Sequence, residues 1–349
     1  MQSLLHTYKR YRTLQTDIIS ALPIVILMPH SACNCRCVMC DIWKDNKNLK
    51  QLTEEDISGL MLTLKKIGTK QVLMSGGEAL LNPNFFRLCE ILKQGNISIS
   101  LLSTGITLQK HFENILRHTN EVIVSLDGNE ETHNTIRNIP DAFSKLRDGV
   151  KQLKVASPHF KITARTVIHR LNFKIWPEII ETAKEIGLDQ ISFLPADVSS
   201  TAFNRETPWE LPRQQDIMLS ENELPELKNT IDRILRKFGT EFASGFIAES
   251  PDKILKIYDY YMALYGSNPF PYKKCNAPWV STVIEADGTV RPCFFHPAYG
   301  SIKENTLDDI INSHVALAFR KTLDIDTNPT CVKCVCYLNL PARLNPAEM

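Results

Sequence analysis

The sequence predicts an α/β chain. Six strand–helix units bring parallel strands into a partial (β/α)6 barrel of TIM type, and a small α+β domain follows. Three observations lead there. Apolar runs of strand length alternate with amphipathic stretches over residues 23–194. Residue types that carry chemistry fall at the carboxyl ends of these runs, where such sheets collect their sites. Five of the ten cysteines come from Cys275 onward, around a glycine-turned hairpin.

Composition narrows the function classes. With 349 residues, 43% apolar and 23% charged, the chain reads as globular with a large core. A net charge of +1 leaves no basic footprint for nucleic acid. The first twenty residues lack a long apolar core and a small-residue cleavage site. The most apolar run, residues 18–28, is about half a bilayer span and is broken by Pro23. Ten cysteines without a signal peptide point to metal rather than disulfides, in a cytoplasmic protein of a reducing compartment with no membrane partner.

Residues 1–22 read as a helical lead-in, because Leu4, Leu5, Tyr8, Tyr11 and Leu14 fall near helical spacing. The partial barrel is expected over 23–240 and the small domain over 241–349. PIVILM at 23–28 suits a strand buried on both faces. Thr53 and Asp56 cap a helix to about Lys66. Strands follow at Gln71–Met74, 97–102, 121–126, Lys161–Ile168 and 190–194, with helices at 84–94, Ala142–Ala156 and 176–186, the last closed by Gly187. Residues 196–219, with Pro208 and Pro212, form a long irregular connection, either a functional cover or a flexible linker. Ser220 and Glu223 open a helix through Phe238, and Ser250-Pro251 another to about Leu264.

The loop after the first strand, SACNCRCVMCDIW at 31–43, holds four cysteines within eight residues. Cys33, Cys37 and Cys40 stand as C-x3-C-x2-C. Thiolates are the ligands of iron–sulfur clusters, and three of them leave one iron of a 4Fe–4S cluster open. Disulfides of a secreted protein and a zinc knuckle are the competing readings. The triplet resembles the cluster loop of the radical S-adenosylmethionine (radical SAM) enzymes. The resemblance implies that SAM chelates the open iron through its amine and carboxylate. An electron then cleaves it to methionine and a 5′-deoxyadenosyl radical. Cys35 has no role in that pattern and reads as a spare thiol. Met39 stands where the family carries an aromatic against the adenine, and a thioether packs similarly.

Glycines in Ser75-Gly76-Gly77-Glu78 allow close approach of a ligand, and Glu78 offers a carboxylate to an ammonium. By resemblance this segment meets the SAM methionyl amine; a glycine turn capping a helix is the plainer alternative. The fourth-strand segment VSLDGNEETHNTIRN resembles the cofactor-synthesis and peptide-maturation branches of the family. It implies that Ser125 bonds the SAM ribose with help from Asp127. Arg165 would pair with the SAM carboxylate. Thr104 is a lesser candidate, and Arg137 reads as a surface or helix-capping residue. His169 and Asp197 fall where they could reach the barrel mouth, but a structural role is the favoured reading for each.

Cys275 and Cys293 flank a hairpin turned at Ala286-Asp287-Gly288, and Cys331, Cys334 and Cys336 follow downstream. Four cysteines in two pairs also make a zinc pattern. The arrangement resembles the twitch domain, the shorter relative of the SPASM domain. It implies one auxiliary 4Fe–4S cluster held by Cys275, Cys293, Cys331 and Cys334, with Cys336 a possible replacement. Cys89 reads as a buried core thiol.

The resemblance implies a radical SAM oxidoreductase that abstracts hydrogen from a small polar metabolite. Its auxiliary 4Fe–4S cluster would take part in electron transfer, and a flavodoxin or ferredoxin would donate electrons. A small substrate is expected because about twenty residues precede the first strand, too few for a peptide-binding domain. The alternatives are a peptide-modifying maturase and an iron–sulfur electron carrier. A carrier needs neither Gly76-Gly77-Glu78 nor Ser125.

Overall fold

The computed structural model describes residues 4–205 and 207–342. The first part runs α1 Leu4–Thr16, β1 Ile24–Leu27, α2 Glu54–Lys66, β2 Gln71–Met74, α3 Phe85–Lys93, β3 Ser98–Ser103, α4 Leu108–His118, β4 Glu121–Ser125, α5 Glu130–Arg137, α6 Ala142–Ala156, β5 Lys161–Ile168, α7 Trp176–Glu185 and β6 Gln190–Pro195. The second part runs α8 Leu211–Ile217, α9 Leu224–Lys237, α10 Gly239–Ala243, α11 Pro251–Leu264, α12 Ala277–Val280, β7 Ser281–Ile284, β8 Thr289–Arg291, β9 Gly300–Ser301, α13 Leu307–Ile311, α14 His314–Thr322 and α15 Pro329–Lys333. Among the described residues no helix is long and apolar enough to cross a membrane.

Strands β1 to β6 pair in parallel in sequence order, as six successive βα units predict. Alternation sorts their side chains. Val25, Leu27, Val72, Met74, Val122 and Val124 are buried in the core. Ile24, Ile26, Leu73, Ile123 and Ser125 are half-buried on the other face, which bounds an open interior. Near its amino end that interior is crossed by a polar chain. Gln71 Nε2 donates to Ser100 Oγ at 2.8 Å, and Ser100 Oγ donates to Glu121 Oε1 at 2.6 Å. The parallel set does not close on itself. The free edge of β6 is covered by residues 246–249, with Ile191 N donating to Phe246 O at 2.8 Å and Ala248 N to Ile191 O at 2.9 Å.

The hairpin expected in the C-terminal part is present as β7 and β8, and β9 extends it. Its first strand lies parallel to β1, from Ile24↔Ser281 to Leu27↔Ile284. One nine-stranded sheet therefore crosses the division expected at 240/241.

The sequence reading gives no helix at α4, α5 or α8, nor at α10 and α12 to α15 in the C-terminal part. α4 lacks a side-chain N-cap, α5 has eight mostly polar residues, and α8 has seven with a proline. The connection 196–219 thus contains α8. The lead-in helix forms, but the apolar spacing that predicts it is not its packing face. Leu4, Tyr8 and Tyr11 are exposed, while Arg10 and Thr13 are buried.

Candidate active site at the carboxyl ends of the strands

The cysteine loop after β1 is held from two sides. Glu78 N donates to Ala32 O at 2.9 Å. A Cβ on Gly77 would sit 2.2 Å from Ala32 O, so this glycine admits the loop's own backbone. On the other side, Arg36 N and Val38 N donate to the carbonyls of Arg137 and Ile136, each at 3.0 Å. These carbonyls are among those that the end of α5 leaves open. Asn46 clamps Cys33 by paired bonds, Cys33 N to Oδ1 at 3.0 Å and Nδ2 to Cys33 O at 2.9 Å.

Cys33 and Cys40 are half-exposed and Cys37 is buried. Cys35, the spare thiol, is fully buried. Hydrogen bonds to Cys33 and Cys37, with burial, push its pKa far up. The bond from Cys35, aided by Arg137, brings Cys37 down to about 6. Burial pushes Cys40 up to about 12. Met39 packs against the core beside the loop. Three cysteines on one loop fit a 4Fe–4S cluster with one iron open, and Asn34 Nδ2, buried without a partner among the described residues, is a further donor within the loop.

The structure turns several of the expected residues inward. The Glu78 carboxylate does not face open space. It is fully buried and accepts from Thr104 N at 2.8 Å, Thr104 Oγ1 at 2.7 Å and Ser103 Oγ at 3.1 Å. It ties the end of β2 to the end of β3, and burial raises its pKa. Asp127 is also fully buried. It ion-pairs with Arg137 and accepts from Val167 N at 3.2 Å, so no oxygen is exposed to a ribose. Arg137 is not a surface residue: it is buried and donates to Cys37 Sγ at 3.4 Å. His169 is fully buried, and desolvation lowers its pKa to about 3, so it stays neutral. Asp197 is buried in an ion pair with Arg205 at 2.8 Å.

Gly76 stands beside the loop at φ +114°, 3.0 Å from His30 O for an added Cβ. Ser125, Arg165 and Ser192 lie side by side on β4, β5 and β6. Arg165 is exposed to the interior, its Nε 3.4 Å from Ser192 Oγ, and forms no ion pair among the described residues. Of the expected SAM-binding set, Ser125 and Arg165 stand in this row.

Sequence reasoning missed how the 196–219 connection is fastened. Trp209 Nε1 donates to Asp41 Oδ2 at 2.7 Å, directly after Cys40, and Arg213 donates to Val38 O. Arg205 lies 3.8 Å from the Trp209 ring centroid. Phe203 stacks on Phe294 and meets Phe295 edge-on, directly after Cys293. No single-sequence signal marks these pairings, and apart from Arg205 on Trp209 they join residues more than 90 positions apart.

In the C-terminal part Cys275 precedes α12, Cys293 follows β8, and Cys331 and Cys334 lie on and after α15. Their sulfurs are electrostatic neighbours: burial first, then neighbouring thiols, raises Cys293 to about 12 and Cys331 to about 11. Cys336 is exposed. Among the described residues no three His, Cys, Asp or Glu side chains close on a single-ion site.

Comparison with known proteins adds to this geometry. Residues 27–183 match the radical SAM superfamily, and residues 275–335 match the SPASM iron–sulfur cluster-binding domain. The chain is 24% identical to the AdoMet-dependent heme synthase of Methanosarcina barkeri, over 84% of this chain and 82% of that protein. It is 24% identical to the antilisterial bacteriocin subtilosin biosynthesis protein AlbA of Bacillus subtilis, over 80% of this chain and 57% of that one. The crystal structure of SuiB from Streptococcus suis shares the fold, at a TM-score of 0.65 and 15% identity, over 93% of this chain and 73% of that chain. The chain thus carries a radical SAM domain, which binds a 4Fe–4S cluster and SAM, followed by a SPASM iron–sulfur domain, the organisation of a radical SAM enzyme with an auxiliary-cluster domain.

Proposed function

We propose that this enzyme makes a 5′-deoxyadenosyl radical from SAM and uses it to take hydrogen from a small polar metabolite, which is then oxidised by one further electron. Cys33, Cys37 and Cys40 hold the SAM cluster, and Cys275, Cys293, Cys331 and Cys334 hold the auxiliary one. When bound, the two clusters supply the electron that cleaves SAM and an acceptor for the electron that the substrate gives up, with a flavodoxin or ferredoxin as the external donor. Ser125 and Arg165 bind the ribose and carboxylate of SAM. Gly76, Gly77 and Met39 shape its methionyl and adenine ends, while Glu78 and Asp127 act from beneath by holding the loops that do so. Arg205, Trp209 and Phe203 cover the mouth and exclude water.

The observations that carry this reading are the cover fastened beside both cysteine sites and the row of Ser125, Arg165 and Ser192 at the strand ends. A polar row beside such a cover suits a compact substrate. A heme synthase of similar length among the relatives supports a small substrate. Subtilosin biosynthesis, named for AlbA, favours a peptide as the second reading.

The test is anaerobic assay of reconstituted protein for 5′-deoxyadenosine. Replacing Cys33, Cys37 and Cys40 together by Ala is expected to abolish its formation and lower iron from about eight to about four per chain. Cleavage that persists in the triple variant would sink the assignment of these cysteines. Turnover of a precursor peptide, with no free metabolite consumed, would replace the small-substrate reading by the peptide one.

A further inference from the structure

Lys273 is two residues from Cys275 and only 9% exposed. Its Nζ donates to Val332 O at 2.5 Å and to Cys334 O at 2.7 Å, so it spans the backbone of the Cys331–Cys334 turn. His296 approaches the same turn from the β8 side. It is 6% exposed, with Nε2 at 3.2 Å from Cys331 Sγ. Its ring is held edge-on against Phe319, 4.9 Å between centroids. A ligating thiolate only accepts hydrogen bonds, so beside one Nε2 must carry the ring proton.

We propose that Lys273 and His296 are positioning residues that hold the Cys331–Cys334 side of the auxiliary cluster and raise its reduction potential, suiting it to accept an electron. The inference rests on Cys275, Cys293, Cys331 and Cys334 being the auxiliary ligands. The reduced cluster carries one more negative charge than the oxidised one. A buried cation beside it favours that state because little water screens the interaction. Hydrogen bonds to the cluster's sulfurs act in the same direction. Four cysteine ligands occupy all four irons and leave none to bind substrate, so electron acceptance is the role that these neighbours serve. One electron enters the cluster for each substrate radical oxidised, and the accompanying proton leaves with a base or with solvent.

The experiment is a redox titration of the anaerobically reconstituted full chain, followed by electron paramagnetic resonance. The SAM-site cluster serves as the internal reference. In K273M and in H296F the auxiliary midpoint is expected to move to more negative potential, with the SAM-site midpoint unmoved and iron still about eight per chain. K273R, which keeps the charge, is expected to return toward wild type. An auxiliary midpoint unchanged in both K273M and H296F would overturn the proposal. So would a fall of K273M to about four irons, because Lys273 would then be a structural tie only. Wild-type protein with only about four irons would instead remove the auxiliary-cluster reading on which the inference stands.

Discussion

The guanidinium of Arg137 joins parts of the chain that are far apart in sequence. It donates to Cys37, 100 positions away, pairs with the buried Asp127, and sits on the residue whose carbonyl receives Arg36 N. Removing only the cation leaves Asp127 charged and unpaired inside the protein, which costs about 3–5 kcal/mol. R137M is therefore expected to melt lower and to lose iron from the loop of Cys33, Cys37 and Cys40. The double variant D127N/R137M removes both charges and should recover part of the melting temperature, though not the bond to Cys37. Calorimetry with iron analysis checks this, and equal destabilisation of the single and double variants would show that the pair is not coupled. Glu249 gives a pH-dependent counterpart. It accepts from Phe193 N at 3.0 Å on the free edge of β6, and burial raises its pKa from 4.5 to about 7 against the opposing pull of that bond and of Arg165. A raised carboxyl pKa contributes stability that is present below 4.5 and is lost as pH rises through about 7. E249Q should therefore gain in melting temperature relative to wild type as pH climbs across that window, and a difference that stays flat with pH would show that the carboxyl does not titrate there.

At the scale of elements, the strands were legible and their contacts were not. Gln71–Met74 and Lys161–Ile168 are read to the residue, because short apolar runs between polar stretches encode burial locally. The helix α5 is short and polar, and only tertiary contact shows that its last carbonyls dock the cysteine loop. The same holds for Lys273 and Trp209, whose roles depend on partners far along the chain. The cysteine spacing stood out in the sequence because neighbouring residues must reach one cluster, whereas the inward bonds of Glu78 and Asp127 were not legible, because the sequence does not say which way a carboxylate points. The connection 196–219 shows what such contacts do. Phe203 and Asn204 both take left-handed backbone, at φ 60° and 64°, unfavourable for residues other than glycine. Packing of Phe203 against Phe294 and Phe295, and the anchoring of Trp209 on Asp41, offset that strain. F203A and W209A should loosen the cover and admit water. Each is expected to raise 5′-deoxyadenosine formation in the absence of substrate several-fold over wild type, with iron content unchanged. Unchanged basal cleavage in both would mean that this segment does not seal the site.

At the scale of the whole molecule, the two cysteine sites share one sheet. β7 lies between β1, which leads into the Cys33–Cys40 loop, and β8, which leads into Cys293. Met28 N also donates to Ile284 O at 2.9 Å, so the end of β7 fixes the chain where the cysteine loop begins. Val283, Ile284 and Val290 are buried in this part of the sheet. A chain ending at residue 240 would keep all six parallel strands, and if the two parts were independent it would fold and bind one cluster. The pairing predicts otherwise. Without β7, the edge of β1 loses its backbone partners from Ile24 to Leu27 and presents an unpaired apolar strand, which favours aggregation. The cysteine loop also loses its tether at Met28. Residues 1–240 expressed alone are therefore expected to be largely insoluble, and any soluble fraction should retain well under four irons after reconstitution. A full-length chain with Cys275, Cys293, Cys331 and Cys334 replaced by Ala is the control. It keeps β7 and should hold about four irons and still cleave SAM. If the truncated chain instead proves soluble, loads about four irons and cleaves SAM as fast as that control, then β7 adds nothing to the first site.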